Sequence, residues 1–164
     1  MRIAIATDWF APRRGGIESQ LVTLAERLAK RGHEVTVVTS TAGAIDGAGY
    51  TVRRLDGPRL PGTGVAIAPT LLRDLRAAIG DRVDVVHTHV SDVSPVGYLA
   101  AIAAVSRRAP TVLTFHSVLR LKRLALSAVN AVARLNERPM VWTAVSELVA
   151  GQVARALGGT EVAI

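Results

Sequence analysis

Short apolar runs rich in Val, Ile and Thr recur along this chain, and a helical pattern separates most of them. The runs are residues 2–7, 34–39, 50–55, 83–89, 111–115 and 140–145, with a further start at 161–164. Residues 17–31 carry Ile17, Leu21, Leu24 and Leu28 at spacings of 4, 3 and 4, which is one helical face. Gly32 is a good stop for that helix. Residues 69–79, 94–107, 119–136 and 146–157 read as further helices, with Ser94 and Ser146 as N-cap candidates. Nearly continuous apolar strands alternating with helices predict a parallel sheet with helices on both faces. The expected fold class is therefore α/β, a single doubly wound parallel sheet in one domain spanning residues 1–164.

A core of this size has to be built mostly from Ala, Val, Leu and Ile, because only six of the 164 residues are aromatic. There is no cysteine, which excludes disulfides, thiolate metal sites and cysteine nucleophiles and is compatible with a reducing cytoplasm. The N-terminal apolar run is short and Asp8 interrupts it, unlike a secretory signal. No run of about 18 uncharged apolar residues is present, so no membrane span is expected. The net charge of +7 is uneven. Residues 51–82 hold six basic and three acidic side chains, and residues 119–138 hold five and one. Two basic zones on an otherwise neutral domain suit an anionic partner such as a phosphate, a nucleotide or an anionic lipid surface. They equally suit a solvated surface in an Arg-rich composition.

In a Rossmann-like sheet, ligands bind beyond the carboxyl ends of the strands. The segments that share this rim are Asp8 to Gly16, His87 to Ser94, His116 to Leu119, and Ser146 with Glu147. The first contains the glycine pair Gly15-Gly16, just before the helix at 17–31. The first amides of a helix lack partners and carry the positive end of its dipole. Without Cβ atoms a phosphate or a sugar hydroxyl can approach that backbone closely. His87 and His89 alternate along one strand, so both rings should point to the same side, and His116 follows the next strand directly. Imidazoles at a rim can orient a hydroxyl, take its proton or hold a metal. No paired carboxylate or HExxH spacing supports the metal. His33 lies at the opposite end of the sheet and reads as a surface residue.

Several chemistries lack their motifs. GxGxxG is missing, which lowers the odds of a dinucleotide. GxxxxGK[ST] and GxSxG are also missing, which disfavours P-loop hydrolysis and an α/β-hydrolase. The aromatic residues do not interleave with the basic runs, so no nucleic-acid platform is expected.

Residues 8–39 (DWFAPRRGGIESQLVTLAERLAKRGHEVTVVT), 84–89 (DVVHTH), 111–117 (TVLTFHS) and 143–147 (TAVSE) fall in a familiar order. Together they resemble the N-terminal domain of the retaining glycosyltransferases of family four, which have the GT-B fold. The resemblance implies a transferase in which two Rossmann-like domains face each other across a cleft. This half would be the acceptor side, and its own C-terminal domain, absent from residues 1–164, would bind most of the nucleotide-sugar. It implies His116 as the catalytic residue, beside the reacting sugar. It also implies Gly15, Gly16, Ile17, His89, Ser117 and Ser146 as substrate-binding residues. Neither a metal nor a cofactor is implied beyond the nucleotide-diphosphate sugar donor. The acceptor would be a hydroxyl, lipid-linked in some members, on a protein in the cytoplasm or peripheral at the inner membrane face. On that basis residues 119–138 are candidates for an interfacial helix on anionic lipid. The chain alone is expected to be inactive and to bind a free nucleotide-sugar at roughly millimolar strength, since few phosphate contacts remain. A non-catalytic Rossmann-like interaction domain, or half of a GT-B-fold sugar-nucleotide epimerase, are the alternatives.

Overall fold

The computed structural model describes residues 1–43, 49–59, 68–91, 93–118, 126–127 and 137–164. Six parallel strands form one sheet: β1 (Arg2–Thr7), β2 (Glu34–Thr39), β3 (Thr51–Arg54), β4 (Val85–Val90), β5 (Thr111–Phe115) and β6 (Met140–Ala144). Their spatial order is β3-β2-β1-β4-β5-β6, the doubly wound arrangement with β1 at its centre. The helices among the described residues are α1 (Gly16–Lys30), α2 (Leu71–Ile79), α3 (Pro95–Ser106) and α4 (Glu147–Ala156). The expected segment at 161–164 contributes one parallel bridge, Thr143 with Ala163. Of the helix expected at 119–136, only Leu126 and Ser127 are among the described residues, both helical, with Leu126 buried in the core; the rest of it, and with it most of the proposed lipid-facing segment, lies outside them.

Period-two alternation divides the core between the two sheet faces. On one face Ile3, Ile5, Val35 and Val37 meet Leu21 and Ala25 of α1. On the other, Ala6 and Val38 meet Leu71, Leu75, Val96 and Ala100 of α2 and α3, while Leu113, Phe115, Trp142 and Ala144 meet Val149 and Val153 of α4. Helix α3 is buried on nearly all sides, which its run of Ala and Val permits. Gly97 lets it approach β4. A Cβ there would stand 2.6 Å from Val90 Cγ1 and 2.7 Å from the carbonyl oxygen of His89. Gly32 ends α1 at φ 82°, and the His33 amide then donates back to the carbonyl of Leu28.

Of the two expected N-caps, one caps its helix as expected and the other does not. Ser146 caps α4 through its side chain, accepting from the Val149 amide at 3.4 Å. Ser94 stands at the N-cap of α3 but makes no side-chain bond into the helix. Its hydroxyl accepts instead from the Ser91 amide at 2.8 Å. The first amides of α3, on Val96 and Gly97, donate to the carboxylate of Asp8 from the end of β1, at 3.2 and 3.3 Å. A carboxylate answers both orphan amides and the helix dipole better than a neutral hydroxyl does.

Candidate functional site

The carboxyl ends of β4, β5 and β6 carry a row of polar side chains on the face that α1 covers elsewhere. Strand register sets the row. His89 pairs with Thr114, which pairs with Thr143, and His87 lies two residues before His89. Thr143 Oγ1 is 2.6 Å from Thr114 Oγ1, which is 2.7 Å from His87 Nε2. The rings of His87 and His89 lie 4.0 Å apart, centroid to centroid, tilted by 36°. His89 Nδ1 then meets His116 Nε2 at 2.9 Å. The His116 amide is fixed by the carbonyl of Val90 at 2.9 Å, so the ring is anchored by the strand that carries its partner.

These imidazoles are held neutral. Burial pushes His87 down to about 4, with the nearby His116 adding to the effect. Burial pushes His89 well below the ordinary range, aided by its two histidine neighbours. His116, which is partly exposed, is lowered by burial as well. Neutral rings packed this closely offer hydrogen bonds to a ligand without a fixed positive charge. Among the described residues, no group of three or more His, Cys, Asp or Glu is arranged to hold a metal ion.

The other end of the rim is the turn from β1 to α1. Arg13 stacks on Trp9, its guanidinium carbon 4.0 Å from the ring centroid, and its Nε lies 2.9 Å from Glu18 Oε1. Glu18 is buried, and its carboxylate lies against Gly15, where a Cβ would collide with it. The two glycines therefore have different jobs. Gly15 makes room for the chain's own acid. Gly16 has nothing within 4 Å of a notional Cβ and is the open member of the pair. The turn is tied to the imidazole side by Trp9 Nε1, which donates to Ser91 Oγ at 3.1 Å, just beyond β4.

Asp8 joins the two parts of the rim and was not among the expected site residues. Its carboxylate caps α3. Its carbonyl accepts from the hydroxyls of Thr39, Ser40 and Thr41 at the end of β2. Burial raises it to about 7, against the pull of the Val96 and Gly97 amides. Its position directly after β1 was the signal that could have found it.

Of the expected residues, Gly15, Gly16, His89, His116, Ser117 and Ser146 all lie at this rim, beyond or at the ends of β1, β4, β5 and β6. Ile17 is at the start of α1, where its side chain packs against the core beneath the helix. Ser146 uses its hydroxyl oxygen to cap α4. His33 is at the far end, 3.5 Å from the N-terminal amine.

The family model of Glycosyltransferase Family 4 matches residues 14–163. The chain is 32% identical over 123 residues to a subunit of the human phosphatidylinositol N-acetylglucosaminyltransferase, covering 71% of this chain and 25% of that protein. It is 29% identical over 170 residues to the phosphatidyl-myo-inositol mannosyltransferase of Mycolicibacterium smegmatis, covering all of this chain and 43% of that protein. It thus spans less than half the length of either relative. Its fold is that of the Anabaena HepE crystal structure in complex with UDP-glucose, at a TM-score of 0.61 and 18% identity, over 99% of this chain and 43% of the other. The chain belongs to Glycosyltransferase Family 4.

Proposed function

We propose that this chain is the acceptor-side half of a retaining glycosyltransferase that moves a sugar from a nucleotide-sugar donor to a hydroxyl acceptor. The observation that carries the proposal is the pairing, on one rim, of an open helix start at Gly16 with a ledge of neutral imidazoles ending at His116. The amides at the start of α1 precede its first internal bond, from Ser19 to the Gly15 carbonyl, and can meet a donor phosphate. Glu18 already occupies the Gly15 side, so the approach is over Gly16. His116 would hold a sugar oxygen by a hydrogen bond from the other side. A second domain of the whole protein would supply the remaining donor contacts. The acceptor class is a lipid-linked hydroxyl, because both relatives are named for phosphatidylinositol substrates.

The test is a panel of nucleotide-sugars offered to the intact protein with phosphatidylinositol vesicles, with the product linkage read by NMR. Transfer with the donor's anomeric configuration kept supports the proposal. An inverted product removes the retaining assignment, and free epimerised sugar-nucleotide without transfer removes the transferase. Sedimentation with anionic vesicles at low salt tests the membrane surface separately, and no binding there removes it.

A further inference from the structure

Two imidazoles that meet nitrogen to nitrogen hold one proton between them. His89 Nδ1 and His116 Nε2 are 2.9 Å apart. Both rings are neutral, so each carries one N–H. Only two arrangements then make the bond. In the first, His89 donates from Nδ1, and His116 carries its own hydrogen on Nδ1. In the second, His116 donates from Nε2, and His89 carries its hydrogen on Nε2. The tautomers of the two rings are locked together, and the choice between them is made at the ends of the pair.

One end is decisive. His89 Nε2 is buried and is the one buried side-chain nitrogen or oxygen without a partner among the described residues. In the first arrangement it is a bare lone pair. In the second it is an N–H with no acceptor. Among backbone groups an orphaned buried N–H is rarer than an under-used acceptor, and the same preference selects the first arrangement here. A second proton on His89 is no escape, because a charged ring would be buried under His87 with no acid among the described residues to pair it.

We propose that His89 is a positioning residue that fixes His116 as its Nδ1–H tautomer, so that the partly exposed ring offers a ligand a hydrogen-bond donor and not a base. Its Nε2 lone pair is already spent on His89. The group it recognises is then an oxygen lone pair, as on a sugar hydroxyl or a phosphate. The meaning for catalysis rests on the sugar-transfer function proposed above, but the tautomer does not.

The experiment records long-range proton–nitrogen correlation spectra of the intact protein, labelled with nitrogen-15 histidine, without ligand. The expected result is a protonated Nδ1 and a bare Nε2 on His116. His89→Asn, whose side-chain amide can place an N–H where Nδ1 stood, keeps that pattern. His89→Leu removes the donor and shifts the His116 hydrogen to Nε2. A hydrogen on Nε2 of His116 in the unaltered protein overturns the proposal, as does an unchanged pattern in His89→Leu. If His89→Leu does not fold, the unaltered protein and His89→Asn still decide. Since no substrate is present, this outcome is independent of whether the protein transfers sugar.

Discussion

The same face of one sheet is dry under α1 and polar at the carboxyl ends of β4 to β6. On the dry side Ile3, Ile5, Val35 and Val37 lie under α1. On the polar side the same face carries His87, level with Ile5 and Val37, and His89, Thr114 and Thr143, level with Thr7 and Thr39. Each strand alternates, so each must put something on this face. Where α1 covers it, the residues are apolar and supply stability. Beyond the reach of α1, they are groups that bond sideways along the sheet and leave the rings of His87 and His116 partly open. The contrast teaches that the candidate site is the part of this sheet face that α1 does not cover.

The largest effect that sharpens this division concerns Asp8, the seam between the two sides. Its folded value, about 7, lies above its unfolded one, so its contribution is complete in acid and is lost as pH rises through about 7. The histidines run the other way. With folded His87 near 4, its contribution is present above the unfolded value and lost as pH falls towards 4. The two slopes oppose each other between about pH 4 and 7. Asp8→Asn removes one of them, so its stability relative to the unaltered protein should climb with pH across that window, by at most about 4 kcal/mol. Urea unfolding at several pH values measures this, and parallel profiles would show that Asp8 does not titrate as described.

Next in size is Leu21→Ala, which cuts into the dry side at a fully buried position. About 3 kcal/mol of unfolding free energy should be lost. Thr114→Val should cost less, about 1–2 kcal/mol, by stranding His87 Nε2, while the Thr143 hydroxyl keeps the Leu113 carbonyl as acceptor. Chemical denaturation compares the two directly. If Thr114→Val proves the more damaging, the polar row is structural core rather than a site.

Much of this division was legible from local pattern. Two residues apart on a strand, His87 and His89 had to share a face, and the apolar stripe of α1 had to point at the sheet. The strands were placed to within one or two residues because each is a compact β-branched run. Asp8 was not legible in the same way. Its amide partners are 88 and 89 residues along the chain, a distance over which no local period carries information. Nor could spacing reveal that the Gly15 corner is filled. Glu18 stands three residues after the N-cap, which resembles the acid of a capping box, but a glycine cap offers no side chain to complete the pattern. The contact of His89 with His116 combined both cases. The strand order brought β4 and β5 together, and only the three-dimensional arrangement showed which nitrogens meet.

The smallest effect on stability is the one that most directly probes the open end of the rim. Gly16 begins α1, where the helix that seals the dry side turns towards the site, and a Cβ there meets nothing. Gly16→Ala should therefore leave the fold intact and gain a few tenths of a kcal/mol from reduced freedom of the unfolded chain. Gly15→Ala should do worse, since its Cβ meets the Glu18 carboxylate and loosens the pairing with Arg13. Activity should rank them differently. On the proposed donor approach, a methyl at Gly16 stands in the path of the phosphate to the helix amides, so turnover by the intact protein should fall about tenfold or more while its melting temperature holds. Full turnover in Gly16→Ala, with the loss confined to Gly15→Ala, would mean that the pair serves only to seat Glu18. The polar side of the rim would then have to bind its ligand without help from α1.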